Sequence, residues 1–213
     1  MDENFAPRRS DVLMVVDMQY DFMPGGALPV AEGDAILPLV GQIAAKFANV
    51  VLTQDWHPKG HASFASTYRR AKPFETKQLH YGDQVLWPDH CLQGSRGARL
   101  HEDLAIDHAI LILRKGANAD VDSYSAFVEA DRRSKTGLAG FLREREIRRV
   151  FLAGLATDYC VAFSALDARA AGFETLVIAD ACRAIDLSGS LAAAWARMEA
   201  AGVGKIHASQ IGD

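Results

Sequence analysis

The chain has 213 residues, 49% hydrophobic and 23% charged, which excludes a disordered or fibrous protein and suffices for one domain with a full core. With 23 basic against 27 acidic side chains the net charge is −4, so nothing points to nucleic acid or an anionic membrane as partner. Three cysteines are too few and odd in number for a disulfide framework, the start "MDENFAPRRSD" lacks a signal-like apolar region and no run reaches transmembrane length, so a cytoplasmic setting is expected.

In chain order, the first apolar run is "VLMVV" (Val12 to Val16), short and β-branched like a strand buried on both faces. A helix follows from Asp34 to about Phe47, with Ile36, Leu39, Val40, Ile43 and Phe47 on one stripe and Pro38 tolerated near its first turn. "VVLT" (Val50 to Thr53) is the second strand. Residues 58–108 have little regular pattern, and that length suggests a segment covering a functional site. "AILIL" (Ala109 to Leu113), "VFLAGL" (Val150 to Leu155) and "TLVIA" (Thr175 to Ala179) read as three more strands, with "KIHAS" a weaker sixth. Helices are expected over Leu138 to Glu146, after Thr157, and from about Ser188 to Ala201, the last closed by Gly202. Such alternation predicts a single α/β domain over residues 1–213 with a mainly parallel sheet.

Ligands of open parallel sheets bind beyond the carboxyl ends of the strands. The first strand delivers Asp17 there, the second Asp55 and His57, the third Lys115 and the fourth Cys160. Reactive groups past four strand ends form a constellation. Asp55 and His57 are two apart in an extended segment, so they face the same way and can grip one ion, while Trp56 points elsewhere. Cys160 lies at the start of a helix whose expected N-cap is Thr157 or Asp158, where backbone N–H groups and the helix dipole favour a thiolate and can hold an oxyanion. Cys91 and Cys182 read as packing residues, since free cysteine is usually buried and inert. Asp17 ends an apolar strand, where an unpaired carboxylate is costly, and Asp21 is better placed to cap a turn. One of Arg114 and Lys115 must point inward if their strand is buried.

The segments "VVDMQYDFMPGGAL", "TQDWHPKGHASFAS", "VLWPDHCLQG", "RKGANADVDSYSAF" and "GLATDYCV" together resemble the isochorismatase-like family of cysteine hydrolases, and within it the nicotinamidases. The resemblance implies a six-stranded sheet flanked by helices on both faces, a three-layer Rossmann-like sandwich. It also implies a catalytic triad of Asp17, Lys115 and Cys160, with oxyanion donors at the backbone amides of Ala156 and Cys160 and a cis peptide between Ala156 and Thr157. By the same resemblance His90 joins Asp55 and His57 around one divalent metal, for which zinc comes first and iron or manganese are alternatives. His61 is left open as an extra ligand. Phe22, Trp87 and Tyr124 are implied around the substrate ring, against a plain packing role. Asp89, Asp158, His80 and His101 read as structural or exposed.

The implied reaction is hydrolysis of nicotinamide, and of pyrazinamide, to the acid and ammonia through a cysteine thioester, in NAD salvage. The partner is then a small molecule, with no nucleic acid or membrane, and a homo-oligomer stays open. Vinyl-ether hydrolases of the family lack the nucleophilic cysteine and the Asp–x–His motif, and its carbamoyl or ureido amidohydrolases usually lack the metal ligands. A non-catalytic metal-binding scaffold has no need of Asp17, Lys115 and Cys160 together.

Overall fold

In the computed structural model, which describes residues 4–212, the apolar runs become the strands of one twisted sheet. β1 (Asp11–Val16) leads through α1 (Leu37–Ala44) to β2 (Val50–Asp55), and a separate hairpin of β3 (Thr76–Leu79) and β4 (Gly82–Val85) precedes β5 (Leu111–Lys115). Helices and strands then alternate as α2 (Leu138–Glu144), β6 (Arg149–Leu155), α3 (Ala162–Ala170), β7 (Glu174–Arg183), α4 (Ser190–Ala200) and β8 (Gly204–Ile206). The main sheet has the order β5-β2-β1-β6-β7-β8, and every neighbouring pair is parallel.

Alternate strand residues feed two apolar layers. Leu13, Val15, Leu52 and Phe151 join Leu37, Val40 and Ile43 of α1 on one face. Val12, Met14, Val51 and Leu152 join Leu142 of α2, Ala165 of α3 and Met198 of α4 on the other. Both faces are therefore covered, which is what all-parallel sheets need. No helix is long and apolar enough to cross a membrane among the described residues.

Several boundaries depart from the pattern in the sequence. α1 is shorter than its apolar stripe, because residues 31–36 are taken up by turns before Leu37. The third strand is not buried on both faces: β5 is a sheet edge with β2 as its one neighbour in the sheet, and Ile112 is 52% exposed. β7 runs on to Arg183 because a register shift opposite Leu152 and Gly154 pairs Cys182 with Gly154 and Arg183 with Leu155. Gly154 has φ +116°, and a Cβ there would come within 2.1 Å of the Val16 carbonyl oxygen, so only glycine permits this approach to β1. The segment 58–108 is not wholly irregular, since the hairpin lies inside it; its charged, polar strands carry no apolar alternation to announce them.

The strand order reverses at the β1–β6 pair. A crevice must open there at the carboxyl ends, because the chain leaves these two neighbours in opposite directions along the sheet.

Candidate active site and metal centre

Asp17 directly follows β1, Asp55 and Lys115 are the last residues of β2 and β5, and Cys160 lies in the turn after β6. β2 and β5 are in register with Asp55 opposite Lys115, so strand pairing alone brings the two side chains together. The Lys115 ammonium is the hub of the cluster. It is 2.8 Å from Asp17 Oδ2 and 3.3 Å from Cys160 Sγ, donates to the Ser123 carbonyl at 3.2 Å, and is bonded to Asp55 Oδ1. Asp17 and Lys115 are fully or almost fully buried.

Burial alone would strip the Lys115 ammonium of its proton, but Asp17 and Asp55 hold it well above the ordinary lysine range. For Asp55, burial raises the carboxyl, yet Lys115 and then His57 carry it well below its usual value. Asp17 ends up raised: burial lifts it, Lys115 pulls it down and Asp55 pushes it up. Burial also pushes the Cys160 thiol well above its usual value, against the pull of Lys115 and reinforced by Asp17 and Asp55. This corrects the expectation that a helix start keeps Cys160 as a resting thiolate, since desolvation of a fully buried sulfur outweighs a dipole of fractional charge. The proton has a nearby acceptor, because ligand atoms of Cys160, Asp17 and Asp55 all lie within 4.8 Å of one another.

The turn that presents Cys160 is a π-type turn over Thr157–Val161, continuous with α3. Its N-cap is Ala156 and not Thr157 or Asp158, for the Asp158 carboxylate is turned away to accept from the N–H groups of Ile185 and Asp186 and the Ser190 hydroxyl. The Ala156 carbonyl accepts from the N–H groups of Tyr159 and Val161, both at 3.1 Å, passing over the Cys160 N–H between them. The cis peptide is Leu155–Ala156, one bond earlier than the resemblance implied.

Beside this cluster, Asp55 Oδ2 lies 3.6 Å from His57 Nε2 and 3.8 Å from His90 Nε2. Those gaps are too long for hydrogen bonds and suit three ligands gathered around one point. His57 Nδ1 is tied to the Gly116 carbonyl at 2.9 Å and His90 Nδ1 to the Pro88 carbonyl at 2.8 Å. A carbonyl can only accept, so each Nδ1 carries a proton and each Nε2 is the ring nitrogen on the side of Asp55. The donor set of one carboxylate and two imidazoles fits a divalent cation. His90 is held through its neighbour: the Cys91 N–H donates to Asp21 Oδ2 at 2.6 Å, and a Cβ on Gly97 would strike that carboxylate at 2.1 Å.

His61 is grouped differently, with His57 and Asp122. Its Nδ1 receives the Ser63 N–H at 3.3 Å and contacts the Ser63 hydroxyl at 2.7 Å, which leaves the proton on Nε2; that buried atom has no partner. Burial first, then His57, depresses its pKa to about 4. Trp56 packs outside the site under the Arg114 guanidinium, 3.7 Å from its ring centre.

A cavity opens over these groups, lined by Phe22, Leu28, Trp87, Tyr124, Tyr159 and Ile185, with Asp55, His57, His90, Ala156 and Cys160 below. Phe22, Trp87 and Tyr124 thus all reach the cavity. Cys91 and Cys182 are buried away from it. His80 and Asp89 are exposed and His101 is half-buried, in keeping with their reading as non-site residues. Reasoning from sequence missed Asp122, buried beside His57 and bonded to Gln84 of the hairpin at 2.8 Å. It also missed Gln19, whose amide clamps the backbone N–H and carbonyl of Asp55, both at 2.8 Å. Spacing could have flagged Gln19, two residues after Asp17, but nothing in sequence marks Asp122.

Residues 11–210 match the isochorismatase domain family. A nicotinamidase of Acinetobacter baylyi is 53% identical over 199 residues, which is 93% of each chain. Among solved structures, a nicotinamidase/pyrazinamidase of Acinetobacter baumanii superposes with a TM-score of 0.94 at 54% identity, over 95% of this chain and 98% of that one. A pyrazinamidase of Pyrococcus horikoshii, in complex with zinc, does so with a TM-score of 0.76 at 37% identity, over 93% and 99%. With a match over nearly its whole length and relatives covered almost end to end, the chain belongs to the isochorismatase domain family.

Proposed function

We propose that the protein is a nicotinamidase that hydrolyses nicotinamide, and pyrazinamide, to the carboxylic acid and ammonia in NAD salvage. One observation carries the reading: a buried ammonium, Lys115, touches Asp17, Asp55 and the Cys160 sulfur at the floor of an aromatic-walled cavity. Three unpaired thiols suit a reducing compartment, and the cytoplasm is the proposed location.

Cys160 is the proposed nucleophile and Asp17 its base. The thiol proton passes to Asp17 as sulfur attacks the carboxamide carbon, and Lys115 offsets the negative charge during the transfer. The backbone amides of Ala156 and Cys160 are the proposed oxyanion donors. Asp17 then gives the proton to the amide nitrogen, the C–N bond breaks, and ammonia leaves a thioester. Water adds to the thioester as its proton goes to Asp17, the C–S bond breaks, and the proton returns to sulfur. Phe22, Trp87 and Tyr124 clasp the ring.

Asp55, His57 and His90 would hold a divalent ion, zinc first and iron or manganese as alternatives; the zinc-bound pyrazinamidase supports that order. Such an ion supplies a Lewis-acid position for the ring nitrogen, so that binding orients the carboxamide toward Cys160. His61 is not included, as its grouping and tautomer differ. Ammonia release from nicotinamide by purified protein, together with metal analysis of the same sample, tests the reading. An inactive, metal-loaded protein would refute it.

A further inference from the structure

The two oxygens of Asp17 have different surroundings. Oδ1 accepts from the Thr53 hydroxyl at 2.6 Å, and the same Thr53 oxygen accepts the Asp17 backbone N–H at 3.1 Å. Oδ2 faces only the Lys115 ammonium, at 2.8 Å, and that ammonium is shared with Asp55, the Ser123 carbonyl and the Cys160 sulfur. Thr53 and Asp17 are both wholly buried.

The direction of the Thr53 hydrogen follows from counting. A hydroxyl has one hydrogen and two lone pairs. One lone pair is taken by the Asp17 N–H, which can only donate, and the hydrogen points to Oδ1. A proton placed on Oδ1 would leave the Thr53 hydrogen facing the hydroxyl oxygen of a carboxyl group, a poorer acceptor than its carbonyl oxygen, and the hydroxyl could not turn elsewhere without losing its bond. A proton placed on Oδ2 meets only the Lys115 ammonium, whose hydrogens have Asp55, the Ser123 carbonyl and the Cys160 sulfur as other acceptors. The reciprocal pair also pins the backbone of Asp17, which has φ +49°, a region non-glycine residues seldom adopt. Thr53 is itself rigid: it lies inside β2, paired through Leu113 of β5, and a β-branched side chain in a strand has little χ1 freedom.

We propose that Thr53 is a positioning residue that reserves Asp17 Oδ2 as the oxygen carrying the proton between Cys160 and the leaving nitrogen. This rests on the functional reading above. In the first step the S–H bond breaks and an O–H bond forms at Oδ2; in the second that O–H bond breaks and an N–H bond forms on the departing ammonia. Thr53 takes no proton and touches no substrate. It denies the proton the oxygen that its own hydroxyl holds.

The experiment compares two pairs of variants that differ within each pair by the hydroxyl alone: wild type against Thr53→Val, and Thr53→Ser against Thr53→Ala. Nicotinamide kinetics are read per folded molecule, with folding followed by circular dichroism and metal content measured. In both pairs loss of the hydroxyl should lower kcat by roughly 10- to 100-fold, as for a misplaced reacting group, with KM changed by about twofold or less. Thr53→Ser should retain most of the wild-type kcat. If Thr53→Val does not fold, the serine and alanine variants decide alone. Equal kcat within a pair, or a change confined to KM or stability, overturns the role of Thr53 while leaving the functional reading intact. A metal-loaded wild type that releases no ammonia overturns the functional reading itself.

Discussion

β1 carries a buried carboxylate at each end, and the two are held in opposite ways. Asp11, at its start, receives both arms of the Arg149 guanidinium, at 2.7 and 3.2 Å, and the Arg8 N–H at 2.8 Å. Both oxygens there are held by groups that cannot give up their protons. Asp17, past the other end, has one oxygen faced only by a lysine that it shares with a second carboxylate and a thiol. A saturated buried pair fastens a structure, whereas an unsaturated one leaves room for a proton to move. The difference lies in which cation was used and how many anions compete for it, since both ends are equally out of water.

The largest effects should come from breaking the unsaturated end. Cys160→Ala should reduce ammonia release to background while circular dichroism and metal content stay as in the wild type; the same change at Cys182 should leave turnover largely in place. Asp17→Asn should lower kcat by about 10²- to 10⁴-fold, the usual worth of a positioned acid–base group. Turnover surviving in Cys160→Ala would remove the sulfur from the mechanism.

Removing the metal should sharpen the contrast by substrate. Nicotinamide and pyrazinamide have a ring nitrogen meta to the carbon bearing the carboxamide, benzamide has no ring nitrogen, and picolinamide has only an ortho one. If an ion at Asp55, His57 and His90 reads that nitrogen, benzamide and picolinamide should be poorer by about 100-fold in kcat/KM. A chelator should then harm nicotinamide far more than benzamide. Equal turnover of benzamide by the metal-loaded protein would leave the ion another task.

The saturated end predicts a different kind of loss. Arg149→Met strands Asp11 in the interior and should cost about 3–5 kcal/mol of stability, the range for breaking a buried pair. Urea denaturation would show it, and kcat per folded molecule should be nearly unchanged. Lys115→Met should invert that result, abolishing turnover. Should Arg149→Met lower kcat as steeply as Lys115→Met, the distinction between the two ends fails.

The smallest effect is one of pH. Cys182 is buried in β7 and its thiol is pushed up to about 12, while the unfolded chain has the ordinary value near 9. The folded state thus binds the proton more tightly. Its share of stability is complete below pH 9 and is lost as pH rises from 9 toward 12, by at most about 1.4 kcal/mol per pH unit. Thermal melting between pH 9 and 11 should fall less steeply in Cys182→Ala than in the wild type. Parallel slopes would mean that this thiol does not titrate on unfolding.

Much of this was legible in sequence because parallel strands must be apolar along their length, so the first polar residues after them mark the functional edge of the sheet. Asp17, Asp55, His57, Lys115 and Cys160 were found in that way, and all of them meet there. The hairpin was not legible, since its strands are polar and pair only with each other. Nor was β5 as an edge, because strand order is a long-range property and "LILRK" reads alike at an edge or a centre.

The sequence by itself determined the alternation of strands and helices, the positions where apolar runs end, and the same-side projection of Asp55 and His57, all of which depend on residues close together in the chain. Only the tertiary structure decided that Asp55 would face Lys115 in register, that Thr53 would occupy one oxygen of Asp17 and leave the other to Lys115, and that burial would push the Cys160 thiol up. Hydrogen-bond partners and desolvation depend on what surrounds a group on every side, and for these residues the surroundings come from segments 36 to 60 positions away along the chain.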